Sequence, residues 1–202
     1  MKLWRFFDKE ITMHVEQFVM AYGVEQDRLR AILPEGFLSL RPVLRINAEV
    51  RDEKEGYVEF NTAVDHAGTK GWINIAAWKN VPFEKNGKTT TFRLKFLEIS
   101  FVEAGIEGGC PAEKDNAGCF FLGEKQELRG PEVITANKVF CDCTFAWHVG
   151  DCGAHGVSIG KTLPAIPEER RVTYPKQDFT AENAAMIPCD QVLGAYVVRF
   201  TR

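Results

Sequence analysis

The most constraining feature of this sequence is a succession of short apolar or alternating segments parted by turn residues, with helical periodicity in only two places. Thr12 to Ala21, Val43 to Val50, Tyr57 to Val64, Trp72 to Trp78, Thr91 to Phe101, Cys119 to Gly123, Asn137 to Trp147 and Gln191 to Phe200 read as strands. Glu55-Gly56, His66-Ala67-Gly68 and Asn86-Gly87 supply turn chemistry between them, the last being a hairpin signal. Val24 to Leu33 reads as a helix with Leu29, Ile32 and Leu33 on one face, and Pro34 ends it. Thr180 is placed to cap a short second helix through Met186, before Pro188. Strands and helices do not alternate regularly, which argues against a doubly wound parallel sheet. The expectation is an α+β fold, mainly antiparallel β, with the sheet closed or strongly coiled. Glu103 to Gly118, Glu124 to Pro131 and Thr162 to Lys176 are expected to be connections without regular structure.

At 202 residues one domain over 1–202 is the natural size, and 15 Phe with 4 Trp supply a sizeable core. A net charge of −3 without any Lys/Arg-rich face argues against a nucleic-acid partner. Arg5, Asp8, Lys9 and Glu10 interrupt the first 23 residues, so no signal peptide or membrane span is read there. The six cysteines are then expected to be reduced thiols in a cytoplasmic protein. Exposed sheet edges and abundant Phe make a homo-oligomer the expectation for assembly.

Cys141, Cys143, His148, Cys152 and His155 crowd into fifteen residues and raise the question of a zinc site. The Cys-x-Cys spacing is not that of a zinc knuckle, and strand parity puts Cys141, Cys143, Phe145 and Trp147 on one face, which is the pattern of a buried core. Core cysteines are the reading adopted, with no metal and no cofactor. Gly156 to Thr162 ends like a phosphate-binding loop, but His155 stands where that loop needs its first glycine, so Lys161 is read as an ordinary lysine.

Polar residues on core strands carry more chemistry. Tyr57, Glu59 and Asn61 share one strand face, and alternation places Trp72, Asn74 and Trp78 together on the next strand. Such a face is either the lining of a small-molecule pocket, aromatic with a few orienting polar groups, or the solvent side of an antiparallel sheet. Arg93 and Lys95 leave one strand on the same side. Enclosed together, Arg93 would disfavour the charged form of Lys95 and make it a nucleophile toward carbonyls; on an open edge they are a solvated basic strip.

Phe18-Val-Met-Ala-Tyr22, Asp27-Arg-Leu-Arg-Ala-Ile-Leu-Pro34, Arg41-Pro-Val-Leu-Arg-Ile, Gly56-Tyr-Val-Glu59 and Gly68-Thr-Lys-Gly71, with the strand ending at Trp78 and Asn80, resemble the opening of acetoacetate decarboxylase and its relatives. Lys161-Thr-Leu-Pro164 and the closing strand extend the resemblance more loosely. It implies a closed, double-ψ-like β-barrel or cone with a central cavity and a few peripheral helices. It also implies a small keto acid or other carbonyl compound as substrate, bound as a Schiff base on a cavity lysine. Lys95 falls within about a residue of that lysine, counted from Trp78, and Glu59 matches a cavity glutamate. Arg93 would be the electrostatic perturber and Glu59 the proton carrier or water orienter. The Glu and the Tyr-Pro-Lys-Lys run of the family are absent around Lys95, and Gly23 stands where its carboxylate-binding arginine is expected. The catalytic set is incomplete and does not support acetoacetate decarboxylation itself. A barrel that binds a small apolar or carboxylated ligand without chemistry is the competing reading, and a thiol or metal function at the cysteines is a third.

Overall fold

The computed structural model describes residues 12–111, 118–122, 127–129, 136–149, 155–157 and 172–202. Twelve strands among them form one sheet. They are β1 (His14–Val24), β2 (Phe37–Arg51), β3 (Glu55–His66), β4 (Thr69–Lys79), β5 (Phe83–Asn86), β6 (Thr89–Leu94), β7 (Leu97–Pro111), β8 (Cys119–Phe121), β9 (Glu127–Arg129), β10 (Asn137–Trp147), β11 (His155–Val157) and β12 (Cys189–Thr201). The helices are α1 (Gln26–Ile32) and α2 (Ala181–Ala185). Strand order is β5-β6-β7-β10-β12-β1-β2-β3-β4-β8-β9, with β11 on β10, and every pairing is antiparallel except β4 with β8.

Two of the three turns fall where the sequence puts them, while the turn before β3 is made by Asp52 and Glu53, at φ 47° and 58°, and Glu55 and Gly56 lie within the strand. Ala67 and Gly68 take φ values of 50° and 84° between β3 and β4, a turn in which both central residues are left-handed, and Asp65 accepts a 2.8 Å bond from the Gly68 amide. The Asn86-Gly87 hairpin joins β5 to β6. Thr180 caps α2, its hydroxyl accepting from the Asn183 amide at 3.2 Å.

The sheet curls around its apolar face. β3 and β10 are four strand steps apart in the order, about 19 Å in a flat sheet at ~4.8 Å per step. Yet the rings of Phe60 on β3 and Trp147 on β10 have centroids 4.8 Å apart. Phe18 on β1 likewise meets Phe92 on β6 at 5.8 Å. One set of alternating positions fills this interior: Phe18, Met20 and Tyr22, Leu44 and Ile46, Val58 and Phe60, Ile99 and Phe101, and Phe145 and Trp147. Each large side chain so buried contributes roughly 1.5–3 kcal/mol. Cys141 and Cys143 belong to this interior, as strand parity predicts.

The expected curled antiparallel sheet is present as a half-barrel, with no pairing among the described residues between β5 and β9 and its curl held by side chains. Other expectations are corrected. The inner face is packed with aromatic rings, and the polar residues expected around a central cavity lie on the opposite face. The single strand read from Thr91 to Phe101 is two strands, because the chain reverses at Lys95-Phe96 and pairs Leu94 with Leu97. The expected loop from Glu103 is largely strand, since pairing to β10 carries β7 on to Pro111.

Candidate functional site

On the other face, β2 and β3 alternate polar groups with the core residues just named. Register sets Arg45 opposite Asn61 and Asn47 opposite Glu59, with Asn61 opposite Asn74 on β4. Ala21 on β1 lies opposite Arg45 on the near side and Gly194 of β12 on the far side. These side chains are not solvated: Arg45 and Asn47 are each 7% exposed and Asn61 is fully buried.

The two ends of this face differ in how their polarity is satisfied. At one end Glu49 accepts from Gln17 at 2.9 Å, from Arg51 at 2.7 Å and from Arg202 at 2.9 Å, so its buried carboxylate is fully paired. Arg51 also lies over the Tyr57 ring at 3.9 Å. Tyr57 donates to Glu59 at 2.5 Å, and burial, reinforced by the Glu59 charge, pushes its hydroxyl pKa above the usual tyrosine value.

At the other end three buried atoms find no hydrogen-bond partner among the described residues: Arg45 Nε, Asn47 Oδ1 and Asn61 Nδ2. The Asn61 oxygen accepts from Asn74 Nδ2 at 3.1 Å and from the Cys119 thiol at 3.6 Å, while its amide donor stays unused. Arg45 forms no ion pair among the described residues. Its guanidinium sits 3.7 Å from the Trp72 ring centroid, and burial lowers its pKa from the usual arginine value, only partly offset by Tyr196, Cys119 and Glu59. An unpaired buried polar group costs about 1–3 kcal/mol, more when charged. Three on adjoining positions therefore concentrate an unfavourable term that a ligand of matching polarity would remove.

Of the pocket residues expected from sequence, the structure brings Tyr57, Asn61, Trp72 and Asn74 together on this face, with Glu59 among them. Trp78 is on the other side, its ring 5.1 Å from Phe96 against the core. The cause is a bulge at Ile75: Phe60 pairs with Ala76 but Asn61 with Asn74, so the extra residue reverses parity for the rest of β4. Lys95 is exposed on the β6–β7 turn, and Arg93, also exposed, is paired with Glu84 at 3.0 Å and Glu98 at 3.2 Å. They share neither a strand face nor an enclosure, which is the solvated, open-edge alternative of the two. Arg45 is absent from the residues that sequence reasoning singles out, although Leu44, Ile46 and Ala48 alternating with Arg45, Asn47 and Glu49 carry the same signal as β3. Lys138, also buried, lies 4.7 Å from the ring centroid of Tyr196.

Among the described residues no group of three or more His, Cys, Asp or Glu side chains converges as metal ligands. His148 is exposed, the Cys152 and Lys161 readings lie outside the described residues, and of His155 only the backbone is described. Burial pushes the Cys141 thiol up to about 12 and raises that of Cys143 as well, which is the behaviour of inert core thiols. No helix among the described residues is long and apolar enough to cross a membrane.

No family model matches the chain. No curated protein matches it either. Solved structures do. An acetoacetate decarboxylase from Legionella pneumophila aligns over 94% of this chain and 84% of its own, at 12% identity and a TM-score of 0.51. A second acetoacetate decarboxylase structure aligns over 94% and 85%, at 12% identity and a TM-score of 0.53. At such identity the likeness is one of architecture, and with the strand order above it supports one conclusion: the chain has the acetoacetate decarboxylase fold.

Proposed function

We infer that this protein binds a small carboxylate bearing a carbonyl or hydroxyl group on the polar face of β1–β4. The observation that carries the reading is the cluster of orphaned atoms at Arg45, Asn47 and Asn61. Two of them are donors, one cationic, and they call for an anionic acceptor. The third is an acceptor and calls for a ligand hydroxyl or enol. A keto acid and its enol or hydroxy form meet both demands. Trp72 supports the guanidinium from behind. Glu59, held by Tyr57, is the group on this face suited to carry a proton to or from the bound carbonyl compound.

Titration of the protein with small 2- and 3-keto acids and their hydroxy counterparts tests this. Saturable binding that Arg45→Met abolishes is expected; binding that survives Arg45→Met would overturn the reading. Lysine chemistry is a second reading, favoured by the burial of Lys138 on β10. Borohydride reduction in the same titrations, followed by peptide mapping, distinguishes an adduct at Lys138, an adduct at exposed Lys95, and binding without covalent chemistry.

A further inference from the structure

Beside the orphaned cluster the outer face carries a hollow of about 450 Å³, lined by Ala21, Phe140, Asp142, Leu193, Gly194 and Tyr196. Side-chain size creates it. Ala21 and Gly194 are register partners on adjacent strands, and the space where a side chain would rise from Gly194 is open. Phe140 stands at its edge, 46% exposed.

The hollow adjoins the Arg45 cluster across β1. Ala21 lies opposite Arg45 in the register, and Tyr196 acts electrostatically on the Arg45 guanidinium. Ala21 and Leu193 also pack onto Val43, Ala63 and Trp72, the last being the ring beneath that guanidinium. Asp142, exposed on the hollow, disfavours a carboxylate there. A ligand that places its acid at Arg45 therefore has its other end directed over Ala21 and Gly194.

We propose that the ligand is a carboxylic acid with an apolar body of several carbons, its acid group on Arg45 and its body in the hollow between Ala21, Leu193, Gly194 and Phe140. The volume lies in the range that ligand pockets occupy and exceeds what a three- or four-carbon acid fills. This rests on the carboxylate reading of the Arg45 cluster and adds the class of acid the site selects.

The test is calorimetric titration with straight-chain 2-oxo acids from pyruvate to 2-oxooctanoate, alongside alcohols of the same chain lengths. Affinity is expected to rise with each added methylene, by about fourfold per group where burial is complete. The rise should flatten in Ala21→Phe, which fills the hollow. It should also flatten in Phe140→Asp, a substitution at a half-exposed position on the outer face, with folding of each variant checked by its thermal transition. Equal affinity for all chain lengths, or alcohols binding as well as acids, would overturn the proposal. Pyruvate binding without a chain-length trend leaves the carboxylate reading standing, whereas no binding by any acid removes both.

Discussion

Gly56 has no room for a side chain. A Cβ there would stand 2.0 Å from the Val81 carbonyl oxygen, because Val81 donates its amide to the Gly56 carbonyl at 2.8 Å and draws the chain after β4 against β3. Gly56→Ala is expected to lower stability by about 1–3 kcal/mol or more, read from urea unfolding. A loss below ~0.5 kcal/mol, the range of neutral surface substitutions, would mean that this crossing yields freely. Arg45 has the opposite character. A buried guanidinium without an ion pair among the described residues is unfavourable to the fold, and an apolar side chain of similar length in its place is often neutral or stabilising. Arg45→Met is expected to unfold at the same temperature as the parent or higher while losing carboxylate binding. A clear drop in melting temperature would assign Arg45 a structural role through Trp72.

Strand by strand, the sequence is legible where alternation is unbroken and where turns announce themselves. The core face of β10 and the polar face of β3 follow from parity, and the Ala67-Gly68 and Asn86-Gly87 turns from residue type. Ile75 gives no such notice, because a bulge inside an aliphatic run leaves composition unchanged while exchanging the faces of every residue after it. The Lys95-Phe96 turn is equally silent, having neither Gly nor Asn, and the Gly-rich stretch after Glu103 is strand because β10 offers it a partner. The bulge gives β4 two tryptophans of different consequence. Trp72→Ala is expected to weaken ligand binding, whereas Trp78→Ala, on the core side, should lower stability by about 2 kcal/mol, reduced from the fully buried case, and leave binding alone. The reverse pattern in paired unfolding and binding measurements would place the site on the wrong face. β10 also predicts a response to alkali. Burial lifts Cys141 from a thiol value near 9 to about 12, so the folded state keeps a proton that the unfolded chain releases. This contribution to stability is complete below pH 9 and is lost as pH rises from about 9 to about 12. Urea midpoints measured upward from pH 8 should fall, and fall less steeply in Cys141→Ala. Parallel slopes would show that this thiol is not part of the alkaline response.

Across the whole molecule, the earliest and latest described strands meet at the centre of the sheet. His14 pairs with Thr201, and β12 lies between β1 and β10. Contacts so distant in sequence make folding slow relative to a helical protein of this size. Removing Cys189–Thr201 should divide the sheet and abolish cooperative unfolding in a calorimeter; a cooperative transition in that truncation would show that either half folds alone. The same sheet presents its interior and its polar outer face through alternate residues of the same strands. Along β2 and β3, consecutive letters therefore answer to separate demands, one to packing and the next to the polar chemistry of the outer face. Every second residue can therefore change the chemistry of the outer face while the intervening ones hold the architecture constant.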